Sequence, residues 1–248
     1  MLKAVYLVEM EKLFCRKKYL VFLILDLLFC ICSAVGQLFA EIVSRGVLDT
    51  SGLFDMMHLN GFSIYQAVFL VLIVLLASSD LFSSEIHDLS IRMLLQRPVE
   101  RWKIYLGKNA AVFSLVVIYM LAHFVFLFLV KLIFGQTAVG TFSALGTYII
   151  DLVPFIVVVL FFSFLNQLVR SVGSSVALSV VAYLAVMAFG RYANISAGLV
   201  FTEFIGWHSL WVGITLPLSV LLPKIGILLG TGMLFYCAGF ELFDRKEI

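Results

Sequence analysis

Charge is what this sequence has least of. Asp, Glu, Lys and Arg make up 13% of the 248 residues, about half the share of an ordinary soluble domain. Whole stretches contain none: 61–79, 109–130, 132–150, 152–169, 171–190 and 225–240. A soluble exterior cannot be built from so few charges. Cysteine is scarce too, with four residues at Cys15, Cys30, Cys32 and Cys237, none in a C-x-x-C spacing. That excludes a disulfide framework and reads them as small buried hydrophobes, with no metal site predicted. Proline, with four residues, gives no sign of disorder. The scattered histidines, His58, His87, His123 and His208, form no metal-ligand spacing. G-x-x-x-x-G-K-[ST], H-E-x-x-H and G-x-S-x-G are all missing, so no catalytic residue is assigned and the chain is read as a non-enzyme. The net charge of +2 is no nucleic-acid footprint.

What fills the chain is apolar sequence, at a mean hydropathy of +1.12. A helix crosses about 30 Å of hydrocarbon with about 20 such residues. Six spans are predicted, near 19–40, 61–82, 109–131, 147–169, 172–190 and 224–240. The fold class is therefore an all-α polytopic membrane protein, a single transmembrane domain over 1–248. The run Tyr19–Ala40 is too long for the apolar region of a cleaved signal and reads as a retained first span. With an even number of spans both termini share a side. Segments 1–18, 83–108, 170–171 and 241–248 hold 13 of the 17 Lys and Arg, which puts them in the cytoplasm.

Three segments outside the spans carry their own patterns. In 1–18, Leu2, Tyr6, Met10 and Leu13 form an apolar stripe, with Lys12 and Arg16 on another face beside Glu9, as expected of a helix lying in the headgroup plane. Residues 191–223 are apolar but broken by Gly198, Gly206, Gly213, Pro217 and Pro223, and carry Trp207 and Trp211 one turn apart. They predict an outer re-entrant or interfacial hairpin before the sixth span. The third, EIHDLSIRMLLQRPVERWK at 85–103, is a charged island in an oily chain. Ile86, Leu89, Met93 and Leu94 make one apolar stripe. Glu85, Asp88, Arg92 and Gln96 make the other face, with Asp88 and Arg92 an i,i+4 pair. Pro98 opens a second helix with Glu100 in its first turn, running through Trp102 into the third span. A cytoplasmic helix-turn-helix between two spans is a shape for docking a partner.

Inside the spans, Asp26, His123 and Asp151 are ionisable groups at costly depth. They either line a translocation path or make hydrogen bonds to neighbouring helices. Phe124, Phe126, Phe128, Phe161, Phe162 and Phe164 either line an apolar path or pack against helices and lipid.

Glu85, Ser90-Ile91, Leu94-Leu95, Arg97-Pro98-Val99, Arg101 and Lys108 resemble the pattern E-x-x-x-G-T-[LI]-x-x-L-L-x-x-P-[VI]-x-R, followed by Lys, of the type-2 ABC transporter permeases. Leu89 stands where that pattern has Gly. The opening MLKAVYLVEMEKLFCRKKYL is similar to the family's N-terminal elbow helix, with Glu9 and Lys12 in its E-x-x-K, and FELFDRKEI is similar to its terminus. The resemblance runs through the whole chain in order. It implies that 85–103 is a coupling helix seated on a separate ATPase, with Glu85, Asp88, Ser90, Ile91, Arg92, Met93, Leu94, Arg97, Pro98 and Arg101 in that role. It implies two ATPase copies binding ATP and Mg, no cofactor in this chain, and a second permease subunit, identical or paralogous, in a bacterial plasma membrane. The implied activity is export of amphipathic peptides or lipophilic compounds, toxin or antimicrobial-peptide export or immunity among them. The alternative from the residues alone is an ion- or proton-coupled carrier using Asp26, His123 and Asp151.

Overall fold

The computed structural model describes residues 2–44, 62, 64–88, 99–133, 139–169, 171–192 and 218–245. Among these there are helices and no strands. In lipid a spanning backbone must satisfy its own polar groups, and the α-helix does so within one segment. We label α1 Leu2–Phe14, α2 Lys17–Ser44, α3 Val71–Leu81 with a π-helical lead-in Tyr65–Leu70, α4 Ser83–His87, α5 Arg101–Ile133, α6 Val139–Leu168, α7 Val172–Tyr192 and α8 Leu218–Asp244. Six stretches are long and apolar enough to cross a membrane: Lys17–Gly36, Tyr65–His87, Arg101–Val130, Leu145–Leu168, Val172–Phe189 and Leu222–Asp244. They match the six predicted spans in number and order.

The spans are not equivalent. The chain buries 72% of the Tyr65–His87 window and 61% of Leu145–Leu168, but 17% of those in α2, α7 and α8. So α3 and α6 form the centre, with α5 beside them, and the other three stand at the rim. α8 packs on α6 and α5, α7 on α3 and α6, and α2 on α5. Phe161 and Phe162 are buried in the core, with Phe161 edge-on to Phe235 of α8 at 5.2 Å between ring centres. These two phenylalanines are packing residues.

Two close approaches set the frame. α1 lies against α5 because Gly107 has no side chain: a Cβ there would stand 3.0 Å from Val5 Cγ1. Tyr6 donates to Ser114 Oγ across the same contact at 2.9 Å. α8 closes on α5 at Gly239, where a Cβ would run into the Tyr105 hydroxyl.

Several expected boundaries shift. α5 begins at Arg101, not at Pro98. The Glu100 backbone carbonyl accepts from the Lys103 N–H at 3.0 Å. Its side chain accepts from Lys103 at 2.7 Å and from the Trp102 ring N–H, and these bonds hold its carboxyl below the ordinary carboxylate range. Residues 218–223, expected to end the outer hairpin, are the start of α8. Pro223 lies in the second turn of that helix, where it costs one i→i−4 bond. Residues 191–192 end α7, and the rest of that hairpin, 193–217, lies outside the described residues.

The island divides earlier than its stripe predicts. Phe82, with φ −104° and ψ −61°, separates α3 from α4, and α4 ends at His87, where Asp88 adopts φ −82° and ψ 2°. Residues 89–98, and with them Ser90, Ile91, Arg92, Met93, Leu94, Arg97 and Pro98, lie outside the described residues.

Candidate functional site

α4 is five residues long, yet it is tied to four other helices. Glu85 is the first tie. The sequence places it on a polar outer face, but it is 7% exposed and points into the bundle. Its Oε2 accepts from Lys108 of α5 at 2.6 Å, and its Oε1 accepts from Lys12 of α1 at 2.6 Å. Lys12 also reaches Glu9 Oε1 at 3.0 Å, and Lys108 reaches Glu9 Oε2 at 3.2 Å. Two carboxylates and two ammoniums thus alternate in a closed ring. Lys108 and Glu9 are fully buried, and Lys108 also donates to the Leu81 carbonyl at 3.0 Å. A lone buried charge is prohibitively costly; an alternating ring with no net charge is tolerable. That is why Glu85 turns inward: its opposite charges are there.

Lys12 sits at the ring's edge. Burial works against its charge, but the hydrogen bonds and charges of Glu85 and Glu9 outweigh it and raise its pKa above the ordinary 10.5. The α1 stripe is also corrected. Leu13 is buried and Tyr6 and Met10 pack on the core, but Glu9 faces inward with them. Leu7, Val8 and Phe14 are more than two-fifths exposed. The stripe seats α1 on protein, and its outer face mixes Leu7, Val8 and Phe14 with Lys3 and Glu11.

Ser83 is the second tie. Its hydroxyl stands 2.8 Å from the Asn166 carbonyl of α6 and 2.7 Å from the Ser175 hydroxyl of α7. Ser175 and Ser179 both donate to Asn166 Oδ1, Ser179 at 3.3 Å. One turn before α4, the buried Asp80 pairs with Arg16 at 2.6 Å and Lys18 at 2.5 Å, and accepts from the Tyr19 hydroxyl at 2.6 Å. The basic run Arg16–Lys18 is thus partly an ion-pair partner of α3. Arg101, assigned to ATPase docking, binds the end of α8: it donates to the Asp244 carbonyl and lies 3.8 Å from that carboxylate. Asp88 is exposed and paired with His87 at 3.0 Å.

The intramembrane candidates fall into two places. Asp26 Oδ1 is 2.7 Å from His123 Nδ1. Asp151 accepts from Gln66 at 2.8 Å. Tyr65 and Gln66, adjacent in the π-helical turn, are both fully buried. Tyr65 stacks on His123 while Gln66 reaches Asp151.

Glu9, Lys12, Glu85 and Lys108 are thus brought into one contact by the N-terminal helix and two of the six spans. A family model described as ABC-2 family transporter protein matches residues 7–190, from within α1 through most of α7. The chain belongs to the ABC-2 transporter family. An ABC-2 chain is the membrane permease subunit of a transporter and normally works with an ABC ATPase. This one is a multi-pass membrane protein. No curated protein matches the sequence. Sequence reasoning singled out Glu9, Lys12 and Glu85, and noted Lys108 in the motif without a role. It missed Asp80, Asn166 and Ser175, and the tie that Ser83 makes to the last two. Asp80 carried a signal, a lone carboxylate at a span's end; small polar residues inside apolar helices carried none.

Proposed function

We propose that this permease is half of an ATP-driven exporter. It pairs with a second permease subunit, identical or paralogous, and with two ATPase copies that bind ATP and Mg. Both termini face the cytoplasm of a bacterial cell, and the cargo is an amphipathic peptide or lipophilic compound, with toxin or antimicrobial-peptide export or immunity favoured. The observation that carries this reading is the anchoring of α4. The segment proposed to meet the ATPase, 85–103, starts in α4, and α4 is bound to α1 and α5 through Glu85 and to α6 and α7 through Ser83. A push on that segment reaches four helices at once, which is what a rigid-body switch between inward and outward openings requires. Glu85 acts from inside as a positioning residue. The docking contacts fall to the apolar stripe that includes Met93 and Leu94.

The test is co-expression with an ABC ATPase, followed by pull-down and ATPase assay. Met93→Asp with Leu94→Asp should abolish both assembly and permease-stimulated hydrolysis. If both persist, the docking assignment is wrong. Vesicle transport separates this reading from an ion-coupled carrier: export should need ATP, and uptake or efflux driven by a proton gradient alone would favour the carrier.

A further inference from the structure

Cys30 joins the Asp26–His123 pair. On α2, Asp26 and Cys30 are four residues apart and share one face. That face meets α5 at His123, whose Nδ1 is 2.7 Å from Asp26 Oδ1 and 3.5 Å from Cys30 Sγ. One ligand atom from each residue lies within 4.8 Å of the others. All three side chains are buried, at 0%, 0% and 2% exposure for Asp26, Cys30 and His123. An ion pair alone gains little from a thiol, and here a carboxylate oxygen, an imidazole nitrogen and a sulfur converge on one point.

We propose that Asp26, Cys30 and His123 form an intramembrane binding site for a borderline-soft divalent cation of the zinc class, fastening α2 to α5. Three arguments select the metal. Sulfur and imidazole donors suit zinc and cobalt, whereas magnesium and calcium demand six or more oxygens. A dication bound by one thiolate and one carboxylate has no net charge, the state a low-dielectric interior tolerates best; a monovalent copper ion would leave an uncompensated negative charge. Metal–ligand bonds of about 2.0–2.3 Å at tetrahedral angles put ligand atoms about 3.3–3.6 Å apart, so Cys30 and His123 already have the spacing, and Asp26 moves outward by about 0.6 Å. Three protein ligands leave one position open. Tyr65, stacked on the His123 ring at 3.8 Å between centres with its hydroxyl 3.5 Å from Asp26, fixes the imidazole orientation and closes one side. Only 17% of the α2 span is buried, so a metal here would add a strong link between a rim helix and α5.

The test uses the full chain in detergent, held reduced by a phosphine and titrated with Co²⁺. A variant with Cys15, Cys32 and Cys237 changed to Ser removes the three exposed thiols and leaves Cys30 alone. The expected result is about one cobalt per chain, a near-ultraviolet sulfur-to-cobalt charge-transfer band and visible bands of tetrahedral intensity, all bleached by an equivalent of Zn²⁺. Cys30→Ser should remove the charge-transfer band, and His123→Ala should weaken cobalt binding by about tenfold or more. If the folded, monodisperse Cys30-only chain gives no charge-transfer band, or if the wild-type band survives Cys30→Ser, the proposal is overturned. Because the Cys30-only chain keeps all three ligands, this outcome does not depend on a ligand variant folding.

Discussion

Lys108 carries its ammonium where water does not reach, and two carboxylates make that possible. Removing one member of a buried ion network leaves the others uncompensated, at a cost of about 3–5 kcal/mol. Lys108→Met should therefore lower the thermal unfolding midpoint sharply in detergent. Arg101→Ala, which removes a half-exposed pair with Asp244, should cost under about 1 kcal/mol and move the midpoint little. Lys12 gives the network a pH signature. Its pKa in the fold is raised above 10.5, so its contribution is complete below that value and is lost as pH climbs through the higher, folded-state pKa. Stability should be flat with respect to Lys12 from about pH 6 to about pH 9 and fall in strongly alkaline buffer. Lys12→Met should reduce that alkaline fall, as read from melting curves across pH.

At the scale of elements, α1 depends on one glycine. Gly107→Val would press side chain against Val5, where even a Cβ would stand at 3.0 Å, and should lift α1 from α5. Tryptic cleavage at Lys12 and Arg16 should then speed up several-fold while the six spans stay intact; unchanged cleavage would mean that α1 is held mainly by its charges. This dependence shows which parts of the fold the sequence reveals. Spans are legible because lipid demands about 20 apolar residues in a row, and runs such as 109–130 and 152–169 supply them. Span ends are not legible, because helices continue through charged residues whenever another helix answers the charge. The helical lead-in through Trp102 is legible, but the inward turn of Glu85 is not. Single-helix periodicity assigns a face but cannot say whether that face meets water or a buried lysine from 23 positions away. The Ser83–Asn166–Ser175 contact has no sequence signal, since each residue alone is ordinary in a membrane helix.

For the whole molecule, the uneven burial of the spans is the informative quantity. α2, α7 and α8 show most of their apolar surface outside the chain, with Val181, Leu184, Met233 and Leu234 each more than half exposed. Lipid accepts such faces, and so does a second permease. On the proposed pairing, a tagged copy purified with its ATPase should bring down an untagged permease, and light scattering should give two permease chains per complex. A mass corresponding to one permease chain would refute the pairing.

The charge ring also orders events during synthesis. Glu9 and Lys12 leave the ribosome before their partners: Lys12 waits for Glu85, 73 positions later, and Glu9 waits longer for Lys108. At about 5–20 residues per second, that interval is on the order of ten seconds. Through it, α1 has no seat in the bundle, and its charges keep it at the membrane surface. α1 is made before the helices that hold it and takes its seat only after them. A translational pause or a truncation before α5 would leave it stranded, a ready mark for quality-control proteases to read.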